Sequence, residues 1–323
     1  MKKLEDAGPR PIPVISVVIP AYQVAPYIAE TLNSVFSQTL TEFEVIVVND
    51  GSPDTDELER ALAPYRERIR YVRQDNRGAS AARNRGVQEA HGRFVAFLDG
   101  DDVWMPDFLE KQLEFVREGG YDLAYTDARL FGDPAMAGKT YMQTAPSRGP
   151  VTFVSLIRNH CNVITSGVFA RRLALIEAGL FDERLRNAQD FELWTRLARG
   201  GARLGYQRKV LLRYRCRGDG LSGHMMNRLA REMRVYRHIV DNYDLTPAEH
   251  AELARGMKLQ EAAIELAKGK LRLLSGRFDE SRTSFKRAYR VLGGWKLRAA
   301  ILMMRVAPHL LRRLISGYLR SHS

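Results

Sequence analysis

Short apolar runs separated by amphipathic stretches recur through the first two-thirds of the chain. Residues 14–19, 43–48, 69–72 and 94–98 are rich in β-branched and aromatic side chains. The first, second and fourth show no polar alternation, the mark of strands buried on both faces. Between them the period changes. Ile28, Leu32, Val35 and Phe36 fall on one stripe behind Pro26, so a helix is predicted there. Asp54 stands where it would cap a second helix that Pro64 limits, and Gly78-Ala-Ser80 opens a third through Ala90. Strand and helix in alternation predict βαβ units on a mostly parallel, doubly wound α/β sheet.

Past Pro106 the pattern predicts a helix to about Arg117 and a strand at 123–126. Residues 131–150, rich in Gly, Pro and Ser, read as an irregular surface insertion. A helix at 151–159, a strand at 163–170, a helix opened by Asp190 and a last strand at 210–214 follow. Arg215-Cys-Arg-Gly-Asp-Gly-Leu-Ser-Gly223 is a basic, glycine-rich loop, and everything after it is patterned as helix. The predicted organisation is a loose leader at 1–13, an α/β domain at 14–222 and a helical region at 223–323.

Charge divides the chain differently from hydrophobicity. Residues 1–200 hold 24 Lys and Arg against 28 Asp and Glu, whereas residues 201–323 hold 26 against 10. From Ser281 onward there are ten basic residues and no acidic one. Such asymmetry points to a polyanionic partner. Along 295–320, taken as one helix, Arg298, Arg305, His309, Arg312, Arg313, Ser316 and Arg320 share a sector. Met303, Met304, Val306, Leu310, Leu311, Leu314 and Tyr318 cover the other side, with Pro308 expected to bend or interrupt it. Two readings stand: a helix lying on an anionic membrane surface, or a helix packed on its own domain with Arg in solvent. Nucleic acid is not expected, because no recognition motif appears and exposed aromatics do not interleave the cations. Gly276-Arg-Phe-Asp-Glu-Ser281 is spaced like half of a tetratricopeptide unit, but one repeat cannot bury its own face, so a plain helical hairpin is expected. Cys161 and Cys216 form no CxxC pattern, no apolar leader segment opens the chain, and no uncharged apolar run reaches ~18 residues. A cytoplasmic protein is expected.

The chemistry concentrates at Gly92-Arg-Phe-Val-Ala-Phe-Leu-Asp99-Gly-Asp101-Asp102, where an apolar run ends on three carboxylates. Buried like charges are costly, so these should sit past the strand end, where open α/β sheets bind ligands. Clustered hard oxygens suit Mg2+ or Mn2+ shared with substrate phosphates. The alternative is an acidic turn feeding the helix that starts near Met105-Pro106. The first strand–helix turn lacks GxGxxG and no GxxxxGK[ST] occurs, which disfavours nicotinamide dehydrogenases and P-loop enzymes. His160 beside Cys161 has no third ligand at suitable spacing and reads as structural.

Five motifs stand in one order: Val17-Val-Ile-Pro-Ala-Tyr22, Val48-Asn-Asp50-Gly-Ser52, Asn76-Arg-Gly78 with Ala82-Arg-Asn-Arg-Gly86, Phe97-Leu-Asp99-Gly-Asp-Asp102, and Gln189-Asp190-Phe-Glu-Leu-Trp194. Over roughly residues 14–222 the sequence resembles the family 2 nucleotide-sugar glycosyltransferases of GT-A fold. The resemblance implies that Pro20, Ala21 and Tyr22 line the base pocket, that Asp50 accepts from the nucleobase, and that Gly78 admits the nucleotide. Arg83 would orient that loop or offset phosphate charge. Asp99 would meet ribose or metal, Asp101 would bind Mg2+ or Mn2+ directly, and Asp102 would either join it or cap the following helix. Asp190 matches the family's catalytic base in inverting transfer, and also suits a helix N-cap. Trp194 reads as core packing near the sugar site. Arg215, Arg217, Ser222 and His224 would close over the diphosphate or form a solvated loop. Two positions depart from the family pattern: Asn49 and Gln189 stand where acidic residues commonly precede Asp50 and Asp190. The implied function is transfer from a nucleotide-sugar donor, most often a UDP-sugar, to a glycan or lipid-linked acceptor. A non-catalytic sugar-nucleotide scaffold or sensor is the alternative. A nucleotidyltransferase is disfavoured, because residues 20–26 contain neither glycine nor Lys or Arg.

Overall fold

The computed structural model describes residues 13–185, 188–217 and 225–320. The chain divides into two compact units. The first runs to Arg215 without 132–137, and the second joins 132–137 to the residues from Cys216 onward.

The first unit is built on eight strands: β1 Ile15–Ala21, β2 Phe43–Asp50, β3 Arg70–Gln74, β4 Phe94–Phe97, β5 Val103–Trp104, β6 Leu123–Phe131, β7 Phe169–Arg171 and β8 Leu204–Arg215. They form one sheet in the order β3-β2-β1-β4-β7-β6-β8-β5. β3, β2, β1 and β4 are parallel neighbours, β6 and β8 are parallel, and β7 and β5 are the antiparallel members. The sheet is therefore mixed. Its helices are α1 Ile28–Phe36, α2 Thr55–Leu62, α3 Ala79–Glu89, α4 Phe108–Gly119, α5 Tyr141–Thr144, α6 Phe153–Ile157, α7 Arg172–Glu177 and α8 Gln189–Arg199.

Why the central strands lack alternation is visible in the two cores. Val17 and Ile19 of β1, Val45 and Val47 of β2, and Phe94 and Ala96 of β4 pack with Leu32 of α1, Leu58 of α2 and Leu113 of α4. The intervening Val18, Ile46, Val48, Val95 and Phe97 pack with Val87 of α3 and with Leu193, Trp194 and Leu197 of α8. Both faces are covered, so both sets must be apolar.

Three expected elements differ. The strand expected at 163–170 shrinks to β7, because Thr165–Gly167 closes a 3-10 turn where a Cβ on Gly167 would meet Thr126 Cγ2 at 3.1 Å. The insertion at 131–150 is less irregular than its composition suggests. β6 reaches Phe131, and Thr140 with Gln143 boxes the start of α5. The helix expected at 151–159 is α6 alone, with Thr152 accepting from the Ser155 N–H.

A carboxylate at the amino ends of the strands makes a testable contribution. Glu44 accepts hydrogen bonds from Ser16 Oγ at 2.6 Å and from the His91 N–H at 2.6 Å. Burial alone would raise its pKa, but the Ser16 and His91 contacts outweigh it and leave the group below the usual carboxylate value. A lowered folded pKa gives stability that is present above the unfolded value and lost as pH falls through the folded one. Glu44→Gln should therefore melt below the wild type at neutral pH, and the gap should close on acidification below pH ~4.3. Melting temperature against pH for both proteins checks this.

The second unit holds α9 Met225–Asn242, α10 Pro247–Leu274, α11 Phe278–Leu292, α12 Trp295–Val306 and α13 Pro308–Arg320. Thr246 and Glu249 form a capping box with Pro247 in the first turn of α10. A Cβ on Gly269 of α10 would lie 2.3 Å from Phe285 of α11, and Ser281 Oγ donates to the Gly269 carbonyl at 2.7 Å. The tetratricopeptide-like tract is thus the turn of a tightly packed hairpin. The stretch 295–320 is two helices parted at Ala307, since Pro308 has no N–H to continue the first. Its apolar sector is also split. Met304 and Leu311 are buried with Leu273 and Phe285, whereas Val306, Leu310 and Leu314 are exposed. No helix among the described residues is long and apolar enough to cross a membrane.

Candidate active site

Because β1 to β4 run parallel, their carboxyl ends share one edge, with Ala21 beside Asn49 and Asp50 beside Gln74. Asp50 ends β2. Its carboxylate accepts from Gln74 Nε2 at 2.7 Å, the Arg77 N–H at 3.0 Å and the Gly78 N–H at 2.8 Å. A carboxylate has about four lone-pair positions, so one is left for an incoming donor. Gly78 sits at φ +90° as the residue before α3, a conformation that suits only glycine well. Pro20 and Ala21 close β1, and Tyr22 beyond them is exposed, as a stacking surface requires. The next residue, Gln23, is held at φ +54° with its N–H on Ser52 Oγ at 2.7 Å.

After β4 the chain turns through Asp99-Gly100-Asp101-Asp102, closed by the Asp102 N–H on the Asp99 carbonyl at 3.0 Å. A Cβ on Gly100 would lie 2.9 Å from Val24 and 3.3 Å from the Pro20 carbonyl, so the turn lies against the end of β1. Asp99 pairs with Arg83 Nη2 at 2.6 Å. The Arg83 side chain is 8% exposed, and that burial alone would weaken its charge. Asp99 first, and then Asp190, more than compensate and keep its pKa above the ordinary arginine value.

Asp190 lies in the first turn of α8. Thr165 Oγ1 donates to its Oδ2 at 2.9 Å, and the Phe191 N–H donates to Oδ1 at 2.8 Å. The neighbouring Ser166 Oγ accepts the Asp99 N–H at 3.1 Å. Consecutive residues thus touch Asp190 and Asp99, and one buried cation stabilises both. Asp50, Asp99 and Asp101 stand where β2 and β4 end, and the Thr165–Ser166 turn joins Asp190 to Asp99. Ala188, two residues before Asp190, is held at φ +56°, a conformation costing about 1–2 kcal/mol for a residue with a Cβ.

Asp102 is placed differently from its neighbours. It is 1% exposed, its Oδ1 accepts the Arg215 N–H at 2.8 Å, and its Oδ2 has no hydrogen-bond partner. Burial, then Asp101 and Asp99, push its pKa well above the usual carboxylate value. A carboxyl this buried, with Oδ1 on the Arg215 N–H, is turned into the protein, unlike the part-exposed Asp99. It does not cap α4 either, whose preceding residue is Asp107. Arg215 clamps the turn from β8. Its Nε donates to the Asp101 carbonyl at 2.8 Å, its guanidinium lies 4.7 Å over Tyr27 and 4.3 Å over Phe131, and it pairs with Glu30. Arg217 belongs to the other unit, and Ser222 and His224 lie outside the described residues.

Asp99 and Asp101 are the carboxylates at this turn that suit a divalent cation. Among the described residues no three His, Cys, Asp or Glu gather as a complete cage. Mg2+ commonly takes one or two carboxylates and completes its shell with water and substrate phosphates. The donor set fits an ion shared with a diphosphate, although Asp99 is already paired with Arg83.

The two departures are structurally accommodated. Asn49 is fully buried and donates to Thr55 Oγ1 at 3.0 Å and Tyr71 Oη at 2.8 Å while its Oδ1 accepts the Ser52 N–H at 2.9 Å. A carboxylate could not make those donations. Gln189 is buried with its Oε1 unpartnered. Trp194 packs against Phe97 and Phe181 in the core. Sequence reasoning missed Gln74, Thr165 and Ser166. The small polar tract Thr165-Ser-Gly167 inside an apolar run was the available signal of a turn.

Comparison with known proteins converges on one group. The model of glycosyl transferase family 2 matches residues 16–172. TuaG of Bacillus subtilis, assigned to teichuronic acid biosynthesis, is 30% identical over 230 residues, which are 70% of this chain and 88% of TuaG. Uncharacterized glycosyltransferases of Rickettsia conorii and Rickettsia bellii are 28% and 34% identical, and the chain spans only 36% and 29% of their lengths. Among solved structures, Staphylococcus aureus TarS 1-349 aligns with a TM-score of 0.62 at 19% identity, over 96% of this chain and 92% of that one. The mannosyltransferase PcManGT of Pyrobaculum calidifontis, in complex with GDP-Man and Mn2+, aligns with a TM-score of 0.61 at 18% identity, over 97% and 86%. The architecture is the GT-A fold followed by a helical extension. The chain belongs to glycosyl transferase family 2.

Proposed function

We propose that the protein transfers a sugar from a nucleoside-diphospho-sugar, a UDP-sugar foremost, to a hydroxyl of a cell-surface glycan or lipid-linked acceptor with inversion. It would do so on the cytoplasmic side. The observation that carries this reading is the convergence of Asp190, Arg83 and Asp99 through Thr165 and Ser166 on the edge where Asp50 ends. TarS 1-349 in complex with UDP-GlcNAc and PcManGT with GDP-Man and Mn2+ support the donor class.

Each residue then has a task. Tyr22 stacks on the base, and Asp50 offers its remaining lone pair to a nucleobase N–H. Arg83 holds Asp99 in place and offsets phosphate charge. Asp101, with Asp99, would hold Mg2+ or Mn2+, which when bound neutralises charge growing on the departing diphosphate. Asp102 acts from inside, fixing the acidic turn to β8 through the Arg215 N–H. Asp190 takes the proton of the acceptor hydroxyl as that oxygen attacks the anomeric carbon from the face opposite the diphosphate. One base is enough, because inversion needs no covalent intermediate.

A panel of nucleotide sugars with Mn2+, read as nucleoside diphosphate release, tests the reading. No turnover with any donor and no UDP binding would overturn it. Asp50→Asn should weaken UDP binding by roughly 10- to 100-fold, since a hydrogen bond to a charged acceptor is worth about 1.5–3 kcal/mol. Calorimetric titration with UDP checks this, and an unchanged Kd would remove Asp50 from the base pocket.

A further inference from the structure

Lys286 and Arg290 of α11 face Arg298 and Arg305 of α12 across a groove of about 290 Å³. Ile301 and Leu302 supply its apolar lining, and Tyr289 its aromatic wall. Gly293 and Gly294, at φ +62° and +91°, make the turn that brings these two helices together. Several neighbouring cations of the second unit are paired: Arg272 and Arg277 with Glu280, Arg282 with Asp279, and Arg287 with Glu265. The four around the groove have no acidic partner among the described residues. All four are solvent-exposed, and like charges gathered around one groove without counter-ions raise the local positive potential, which favours an external anion there.

The same face carries apolar side chains that the core leaves outside. Along α12, Trp295 is 76% exposed and Val306 88%, and Leu302 is also exposed. Soluble surfaces rarely leave so many large apolar groups out unless they meet a partner. Ile301, Leu302 and Val306 outnumber the two aromatics, Tyr289 and Trp295, so the surface offers less to stacking bases than to acyl chains. Aliphatic groups beside cations, with a Trp at the edge, match the head-group and acyl layers of a bilayer.

We propose that the α11–α12 groove and the exposed face of α12 form a docking site for anionic phospholipid head groups in a bilayer, the cations taking phosphates and Leu302 and Val306 entering the acyl boundary. This stands on the second unit alone and does not depend on the sugar-transfer reading.

The test is co-sedimentation of the full-length protein with vesicles of phosphatidylcholine, with and without phosphatidylglycerol. Binding is expected only with the anionic lipid, and to weaken as salt is raised. Each basic residue near an anionic surface adds about 1 kcal/mol, so Arg298→Gln with Arg305→Gln should lower partitioning about thirtyfold. Val306→Ser leaves the charge unchanged and, at such exposure, the fold intact; it should lower partitioning about tenfold. Wild-type pelleting that ignores phosphatidylglycerol, or that neither variant weakens, overturns the proposal. So does a loss confined to the charge variant, which would mark a surface that takes any polyanion, such as RNA. Melting temperature and donor turnover in solution, unchanged in Val306→Ser, separate this failure from failure of the active-site reading.

Discussion

Asp190→Asn is expected to lower kcat by about 10²–10⁴-fold while leaving UDP affinity within a few fold, because general-base assistance is worth about that much. The asparagine keeps the shape and still accepts from Thr165 Oγ1, which now donates to Asp190 Oδ2 at 2.9 Å. What it loses is the ability to take a proton and, with its amide nitrogen in place of Oδ1, the acceptor for the Phe191 N–H. Asp190, bonded to Thr165 and the Phe191 N–H, shares no hydrogen-bond partner with Asp50, whose donors are Gln74, Arg77 and Gly78, so nucleotide binding has no reason to change. Steady-state release of nucleoside diphosphate together with calorimetric UDP binding separates the two quantities. A variant with wild-type kcat would remove Asp190 from the chemistry. The measurement also decides against or for a non-catalytic scaffold, which would bind the donor and show no slow donor hydrolysis in either protein. A weakened Kd with unchanged kcat would instead make Asp190 a donor-site residue.

The strands and the order of motifs were legible because both are local. A run such as Val45 to Val48 is apolar throughout since one residue faces α2 and the next faces α3, and that signature needs no knowledge of the partner. Asp50 and Asp99 stood out as candidates for a related reason, since a carboxylate that ends an apolar run is costly unless something receives it, whereas Asp190, at home at a helix start, stood out only through the resemblance of its motif. What stayed hidden is the long-range partnering. That Ser166 accepts from Asp99 while Thr165 donates to Asp190 depends on a turn 67 and 25 residues away respectively. Asp102 shows the same limit. Its spacing from Asp101 is equally compatible with a surface ligand and a buried brace, and only the approach of Arg215 from β8 distinguishes them. At the other end of the chain, a helical wheel drawn through Pro308 put Val306 and Leu311 on one face, but the break at Ala307 sends Leu311 into the core and leaves Val306 outside.

Arg83→Met should be the most destabilising single change at the crevice. Methionine fills similar length without charge, so the effect isolates the loss of the cation rather than a cavity. Asp99 would then keep its position with one donor fewer, and Asp190 would lose a favourable field that now holds the Arg83 charge in place. Removing one partner of a buried pair costs about 3–5 kcal/mol. Because the Asp99 side chain is 31% exposed and can regain water, the lower end applies. At about 2–4 °C per kcal/mol for a domain of this size, the melting temperature should fall by roughly 6–12 °C. Arg83→Lys should recover part of this, since it restores the charge without the planar fork. If Arg83→Met melts with the wild type at neutral pH, the Asp99 pair is solvated rather than structural, and the two carboxylates are held only by the Thr165–Ser166 turn.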